Sequence, residues 1–198
     1  MMSFLQHIQK RRSIYHLGNN LSQDVDQVDS LIRETVRLSP SSFNSQSSRV
    51  VTLYGASHRK FWQIVLETLA KIVPAEAFAN TQTKIESFAA GFGTALFYED
   101  QQVVKDLQEK FPLYADNFPV WSEHSTGIAQ FAVWTALAEQ NIGASLQHYN
   151  PIIDQQVADE FNLPSTWTLR AQLVFGSIET PAGDKDFMPD EQRFKRFD

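Results

Sequence analysis

The sequence predicts an α+β domain, with about four strands in one sheet and helices packed around it. Three observations carry this. Apolar residues recur at helical spacing in several long segments. Short β-branched or alternating runs lie between them, chiefly Arg49-Val50-Val51-Thr52-Leu53-Tyr54 and Thr168 to Ile178. The chain has 198 residues, 42% of them hydrophobic, which suffices for one sizeable core and is short for two. No internal repeat or linker divides it, so residues 1–198 are expected to form a single domain.

The elements follow in order. Phe4, Leu5 and Ile8 mark a helix over 3–11. Val25, Val28, Leu31, Ile32, Thr35 and Val36 share one helical face over 23–38, with Ser22 as the expected N-cap. Residues 49–54 read as a strand closed by Gly55. Ser57 then caps a helix through about Val73, with Phe61, Ile64, Val65 and Leu69 facing inward and Pro74 as a break. A helix over 76–89, a buried strand at 93–98 and a helix over 101–110 come next. Residues 111–122 are aromatic and proline-broken and read as a loop over a pocket or a subunit contact. The segment 124–141 is apolar on nearly every side, which predicts a helix buried all round, at the centre of the domain or in a dimer interface, with Gly143 as its C′ residue. A short strand at 144–149, the Asn150-Pro151 turn, a helix over 152–161 and the strand 168–178 complete the domain, followed by a charged, irregular tail.

Composition excludes several classes of function. The net charge of -6 argues against non-specific nucleic-acid binding, which needs a basic surface. With no cysteine there is no disulfide, thiolate nucleophile or iron–sulfur site, so redox chemistry would require an organic cofactor. The five histidines lack metal-ligand spacing. There is no phosphate loop and no GxGxxG after a strand. Gly143-Ala144-Ser145-Leu146-Gln147 begins like a nucleophile elbow but lacks its closing glycine. No apolar run reaches membrane-spanning length, and MMSFLQHIQKRRS has no secretory h-region, so a soluble cytoplasmic protein is expected.

Three polar clusters remain. Arg11-Arg12-Ser13 could grip a phosphate through forked guanidiniums, or simply supply cations at a helix end. Ser39-Pro40-Ser41-Ser42-Phe43-Asn44-Ser45-Gln46-Ser47-Ser48 offers hydroxyls and amides that suit the carbonyls and ring nitrogens of a flavin. By composition alone it also reads as a solvated loop. Arg193-Phe194-Lys195-Arg196 is a basic tail in an acidic protein, either solvated or matched to an anion.

These clusters, with Gly143 to Pro151, resemble in order and spacing the FMN-dependent nitroreductase family, almost end to end. The short length and Gly91 to Asp100 are most similar to its fatty-acid-repression-mutant subgroup. The resemblance implies a nitroreductase-like fold, a central, mostly antiparallel sheet of four to five strands, and an intertwined homodimer with two FMN molecules in its interface. It implies that Arg11, Arg12 and Ser13 hold the phosphate and ribityl end, and that Ser41, Ser42, Asn44 and Gln46 come in part from the partner subunit. It also implies that Gln147, His148 and Tyr149 lie against the flavin ring, that Arg193 and Lys195 approach the phosphate, and that Lys84 lies near the flavin's polar edge. No residue is assigned a catalytic role, because the chemistry is the flavin's. The implied activity is NAD(P)H-dependent reduction of nitroaromatics, quinones or similar acceptors by a two-electron ping-pong mechanism. A flavin-binding regulator of lipid or stress responses is the alternative, and a cofactor-free interaction module with helix 124–141 as its seam is a third.

Overall fold

Two alternating strands organise the molecule, seen here in a computed structural model that describes residues 3–198. Met1 and Met2, which open the stretch read above as no secretory signal, lie outside the described residues. Strand β3 (Gly93–Asp100) pairs antiparallel with β5 (Trp167–Ile178), from Gly93 opposite Phe175 to Asp100 opposite Trp167, with a bulge between Phe97 and Tyr98. On the other side of β3 lies β2 (Ser48–Tyr54), also antiparallel. The far side of β5 takes β4 (Gly143–Gln147) and the two-residue β1 (Leu17–Gly18), both antiparallel. The sheet is thus five-stranded and antiparallel, as expected for an α+β, nitroreductase-like fold.

The period of two divides the core. Ala95 and Phe97, with Leu173 and Phe175, point to one face. There they meet Val28 and Ile32 of α2 (Val25–Leu38) and Ala129, Val133 and Leu137 of α6 (Phe118–Glu139). Leu96 and Tyr98, with Leu169 and Val174, point to the other face. This face is covered by α3 (Gly55–Leu69), α4 (Ala75–Ala89) and α7 (Asp154–Phe161), through Phe61, Trp62, Val65, Ile85, Phe88 and Val157. Each such side chain stabilises the fold by about 1.5–3 kcal/mol relative to exposure. The remaining helices are α1 (Phe4–Lys10), α5 (Gln101–Lys110) and a short α8 (Asp190–Arg193) in the tail.

Several expectations are corrected at element ends. Helix α2 is capped by Asp24, not Ser22: the Asp24 side chain accepts from the Gln27 N–H, and the Gln27 side chain accepts in return from the Asp24 N–H. Helix α6 starts at Phe118 and absorbs part of the expected loop, because Pro119 falls in the first turn, where no N–H is needed. It is not buried all round at the domain centre: within this chain Val120, Ile128 and Phe131 form an exposed stripe. Its C′ residue is Asn141, left-handed at φ 60°, and Gly143 instead opens β4. Gly176, where β1 crosses β5, has no room for a side chain: a Cβ there would lie 2.1 Å from the Gly18 carbonyl oxygen.

Candidate functional site

The end of α1 sets the first part of the site. After Lys10 the chain turns extended and runs beside β4, where Ser13 bridges Ala144 and the Ile14 N–H donates to the Ala144 carbonyl at 2.9 Å. The Arg11 guanidinium sits over the Trp134 ring of α6, 4.4 Å from its centroid. Its Nε is buried without a hydrogen-bond partner. Burial, and then the neighbouring Arg12 charge, lower its pKa. Arg12 donates through Nη2 to the Gly183 carbonyl at 2.7 Å. His16 and Thr180 are joined at 3.0 Å, and the Glu179 N–H donates to the His16 carbonyl. The residues just after β5 are thereby laid along the Arg11–His16 segment as a strap.

Strap, segment and helix α4 enclose a groove of about 760 Å³. Arg11, Arg12 and Ser13 line one side. Asn80, Thr83, Lys84 and Ser87 line another, projected along one face of α4 by their spacing. The strap contributes Thr180 to Gly183 and Lys185. Four cations face this space, and its lining contains no carboxylate.

The Ser-rich loop builds a second, separate groove of about 380 Å³, lined by Ser39, Ser41, Gln46, Ser48 and Arg49 together with α2 and α6. The loop backbone is strained. Phe43, Asn44 and Gln46 all have positive φ, at 57°, 50° and 49°. Local bonds hold it: the Asn44 N–H donates to the Ser41 carbonyl, the Gln46 N–H to Ser41 Oγ at 2.9 Å, and the Ser42 N–H to Ser125 Oγ of α6 at 3.3 Å. Phe43 is turned into an aromatic cluster, 5.0 Å from Phe111, 5.3 Å from Phe118 and stacked on Trp121 at 6.1 Å.

The structure joins Arg11, Arg12, Ser13 and Lys84 in one groove, and places Ser41 and Gln46 in the other. Ser42 and Asn44 belong to the same loop but line neither groove. The Gln147–Tyr149 segment also lines neither. Gln147 is buried with Nε2 on Ser145, His148 is exposed, and Tyr149 meets Trp62 edge-on, with burial pushing its hydroxyl pKa up to about 12. Arg193 and Lys195 do not line the groove within this chain. The tail leaves it after Lys185, and Lys195 donates to the Glu191 carbonyl instead.

The sequence did not single out Lys185, the Asn80, Thr83 and Ser87 companions of Lys84 on α4, the Trp134 shelf or Gln172. The last is fully buried, accepts from the Tyr149 N–H at 2.7 Å and donates to Asn150 Oδ1 at 3.0 Å, so it holds the turn after β4. The stripe at 80, 83, 84 and 87 carries a signal in its spacing, whereas nothing local marks Lys185.

The family model for the nitroreductase family matches residues 8–177 of this chain. The chain belongs to the nitroreductase family. It is thereby an oxidoreductase, with the fold expected of one. Nitroreductase FRM2 of Saccharomyces cerevisiae is 32% identical over 188 residues, 94% of this chain and 93% of that one. This sets the nitroreductase described here beside the fatty-acid-repression-mutant proteins. Nitroreductase CinD from Lactococcus lactis, solved in complex with chloramphenicol, is 53% identical, with a TM-score of 0.91 over 99% of this chain and 100% of that one. Its complex with 4-nitrophenol matches at a TM-score of 0.90, with the same identity and coverage. An FMN complex from Desulfovibrio desulfuricans shares the fold at 16% identity and a TM-score of 0.73, over 99% of this chain and 98% of that one. Among the described residues no helix is long and apolar enough to cross a membrane.

Proposed function

We propose that this nitroreductase binds FMN in the cationic groove and reduces nitroaromatics, quinones or similar acceptors at the expense of NAD(P)H. The carrying observation is the groove itself: Arg11, Arg12, Lys84 and Lys185 converge on a space without a carboxylate, in a chain of net charge -6. Such a site calls for an anionic ligand. The fit to FMN is supported by the groove's size and by the buried, unpartnered Nε of Arg11. Arg12 and Ser13 would hold the phosphate end, with Lys185 taking the part first expected of Arg193 and Lys195. Lys84 would stand at the flavin's polar edge, where a cation stabilises negative charge gained on reduction. Bound FMN would supply two-electron chemistry, with donor and acceptor using the same open face in turn.

The reading includes a homodimer. Ser41, Ser42, Asn44 and Gln46 stand outside this groove, so a second copy would have to bring its loop to them. An uncovered surface supports this: Ile128 and Phe131 are exposed on α6 beside Gly127, around which nothing packs, and Phe4 and Leu5 of α1 are exposed as well. A two-fold contact would build the site twice.

The test is the visible spectrum of the purified protein, with and without added FMN, then with NADH or NADPH under anaerobic conditions. Flavin bands that bleach and return on adding a nitroaromatic support the reading. Flavin that binds but resists both nucleotides would instead indicate the regulator. Arg12→Ala should weaken FMN binding about 10- to 100-fold, the loss of one charge-assisted contact, with the far-UV circular dichroism unchanged.

A further inference from the structure

The Glu99 carboxyl group has no part in the function proposed above, yet it is completely buried at the end of β3. Its Oε1 accepts from Ser48 Oγ at 2.5 Å. Its Oε2 is buried with no hydrogen-bond partner, and the equally buried Ser47 hydroxyl, also unpartnered, faces the same carboxyl. The charges around it come from other elements: Glu123 of α6 and Arg170 of β5, which pair with each other at 2.6 Å. Burial raises the pKa of the acid, Glu123 adds to the rise, and the two serine hydroxyls and Arg170 oppose it. A carboxyl group this costly to bury needs a reason beyond packing.

The reason lies across the sheet, where Ser48 of β2 stands opposite Glu99. Ser47 and Ser48 are the root of the Ser-rich loop. The adjacent Asp100 reinforces the root: its N–H donates to the Ser47 carbonyl at 3.0 Å, and its carboxylate pairs with Arg49 at 3.1 Å. Arg49 in turn donates to the Gln46 carbonyl. Three left-handed residues lie within five positions of this clamp, and such a backbone persists only where its surroundings over-determine it.

We propose that Glu99 is a positioning residue: through Ser47 and Ser48 its buried carboxyl group fixes the root of the 39–48 loop, and with it the backbone that presents Ser41, Asn44 and Gln46. The consequence for the cofactor rests on the FMN reading above, while the consequence for the loop does not, so two measurements on the full chain separate them. The first is hydrogen exchange of the Asn44, Ser45 and Gln46 amides, all of which are hydrogen-bonded within the loop. In Glu99→Ala and in Ser48→Ala their protection should fall about tenfold or more. Glu99→Gln, which keeps the shape and the hydrogen-bonding groups, should stay within about twofold of wild type. The second is fluorescence titration with FMN, where the same two variants should bind about tenfold more weakly and Glu99→Gln should be restored to near wild type. If Glu99→Ala does not fold, Ser48→Ala and Glu99→Gln decide. Unchanged protection at 44–46 overturns the proposal. A loosened loop with unchanged FMN affinity overturns its link to the cofactor, and wild-type protein that takes no FMN overturns the cofactor reading itself.

Discussion

The two ends of β3 bury polar groups of different kinds. At Thr94 a single hydroxyl is used twice: it accepts from Trp62 Nε1 at 3.0 Å and meets His58 Nδ1 at 2.9 Å, all within the core. His58 Nε2, on the other side of the ring, is buried without a hydrogen-bond partner. At Glu99, five residues on, the carboxyl uses one oxygen and leaves the other unmatched. The Thr94 end ties α3 to the sheet. The Glu99 end sits under a strained loop. Each end thus leaves one buried polar atom unmatched, but at Thr94 it belongs to a ring that burial keeps neutral, and at Glu99 to an acid beside a strained loop.

The contrast can be broken most forcefully at Thr94. Thr94→Val keeps the volume and strands two buried partners, so unfolding in urea at neutral pH should show a loss of about 4 kcal/mol. The next effect is a pH dependence. Burial lowers the pKa of His58 from 6.5 to about 4. The unfolded chain therefore takes up this proton first as the solution is acidified. The stabilisation is fully present above pH 6.5 and drains away as pH falls towards about 4. Against His58→Gln, the wild type should lose about 3 kcal/mol across that window. Glu99 has the opposite sign. Its raised pKa makes its contribution greatest in acid and smaller as pH climbs, so Glu99→Gln should gain on the wild type with rising pH. The smallest effect belongs to the loop. Gln46→Gly relieves a left-handed backbone and should raise stability by up to about 0.5 kcal/mol, the strain removed less the added flexibility of the unfolded chain. The same change should weaken FMN binding, because the amide side chain is lost.

The sequence revealed the fold where periodicity was long and unmixed. Strands β2, β3 and β5 and helices α2, α3 and α4 stand within a few residues of expectation. It was silent where one residue decided the outcome. Ser22 and Asp24 are both good caps, and only the reciprocal bond to Gln27 selects the latter. Pro119 looked like a break because prolines usually are, yet the first turn of a helix tolerates it. β1, two residues long, has no period to read. In the candidate site, Arg11-Arg12-Ser13 was legible as a contiguous cluster, and Lys84 reaches the same groove from α4. Lys185 was not legible, because its place depends on the Arg12–Gly183 bond, a contact across 171 residues of sequence. Glu99 was hidden for a similar reason: nothing in a strand pattern distinguishes a buried acid from one at the solvent edge.

The crossing of β1 over β5 matters beyond the sheet. The chain reaches Leu17 directly from the Arg11–His16 segment, and Gly176 is what lets that crossing close. An added methyl at 176 would have to push the crossing chain outward and tilt the guanidiniums a few residues upstream. A random mutagenesis screen for colonies that lose their yellow colour should therefore return substitutions at Gly176 alongside those at Arg11 and Arg12, although Gly176 does not line the groove.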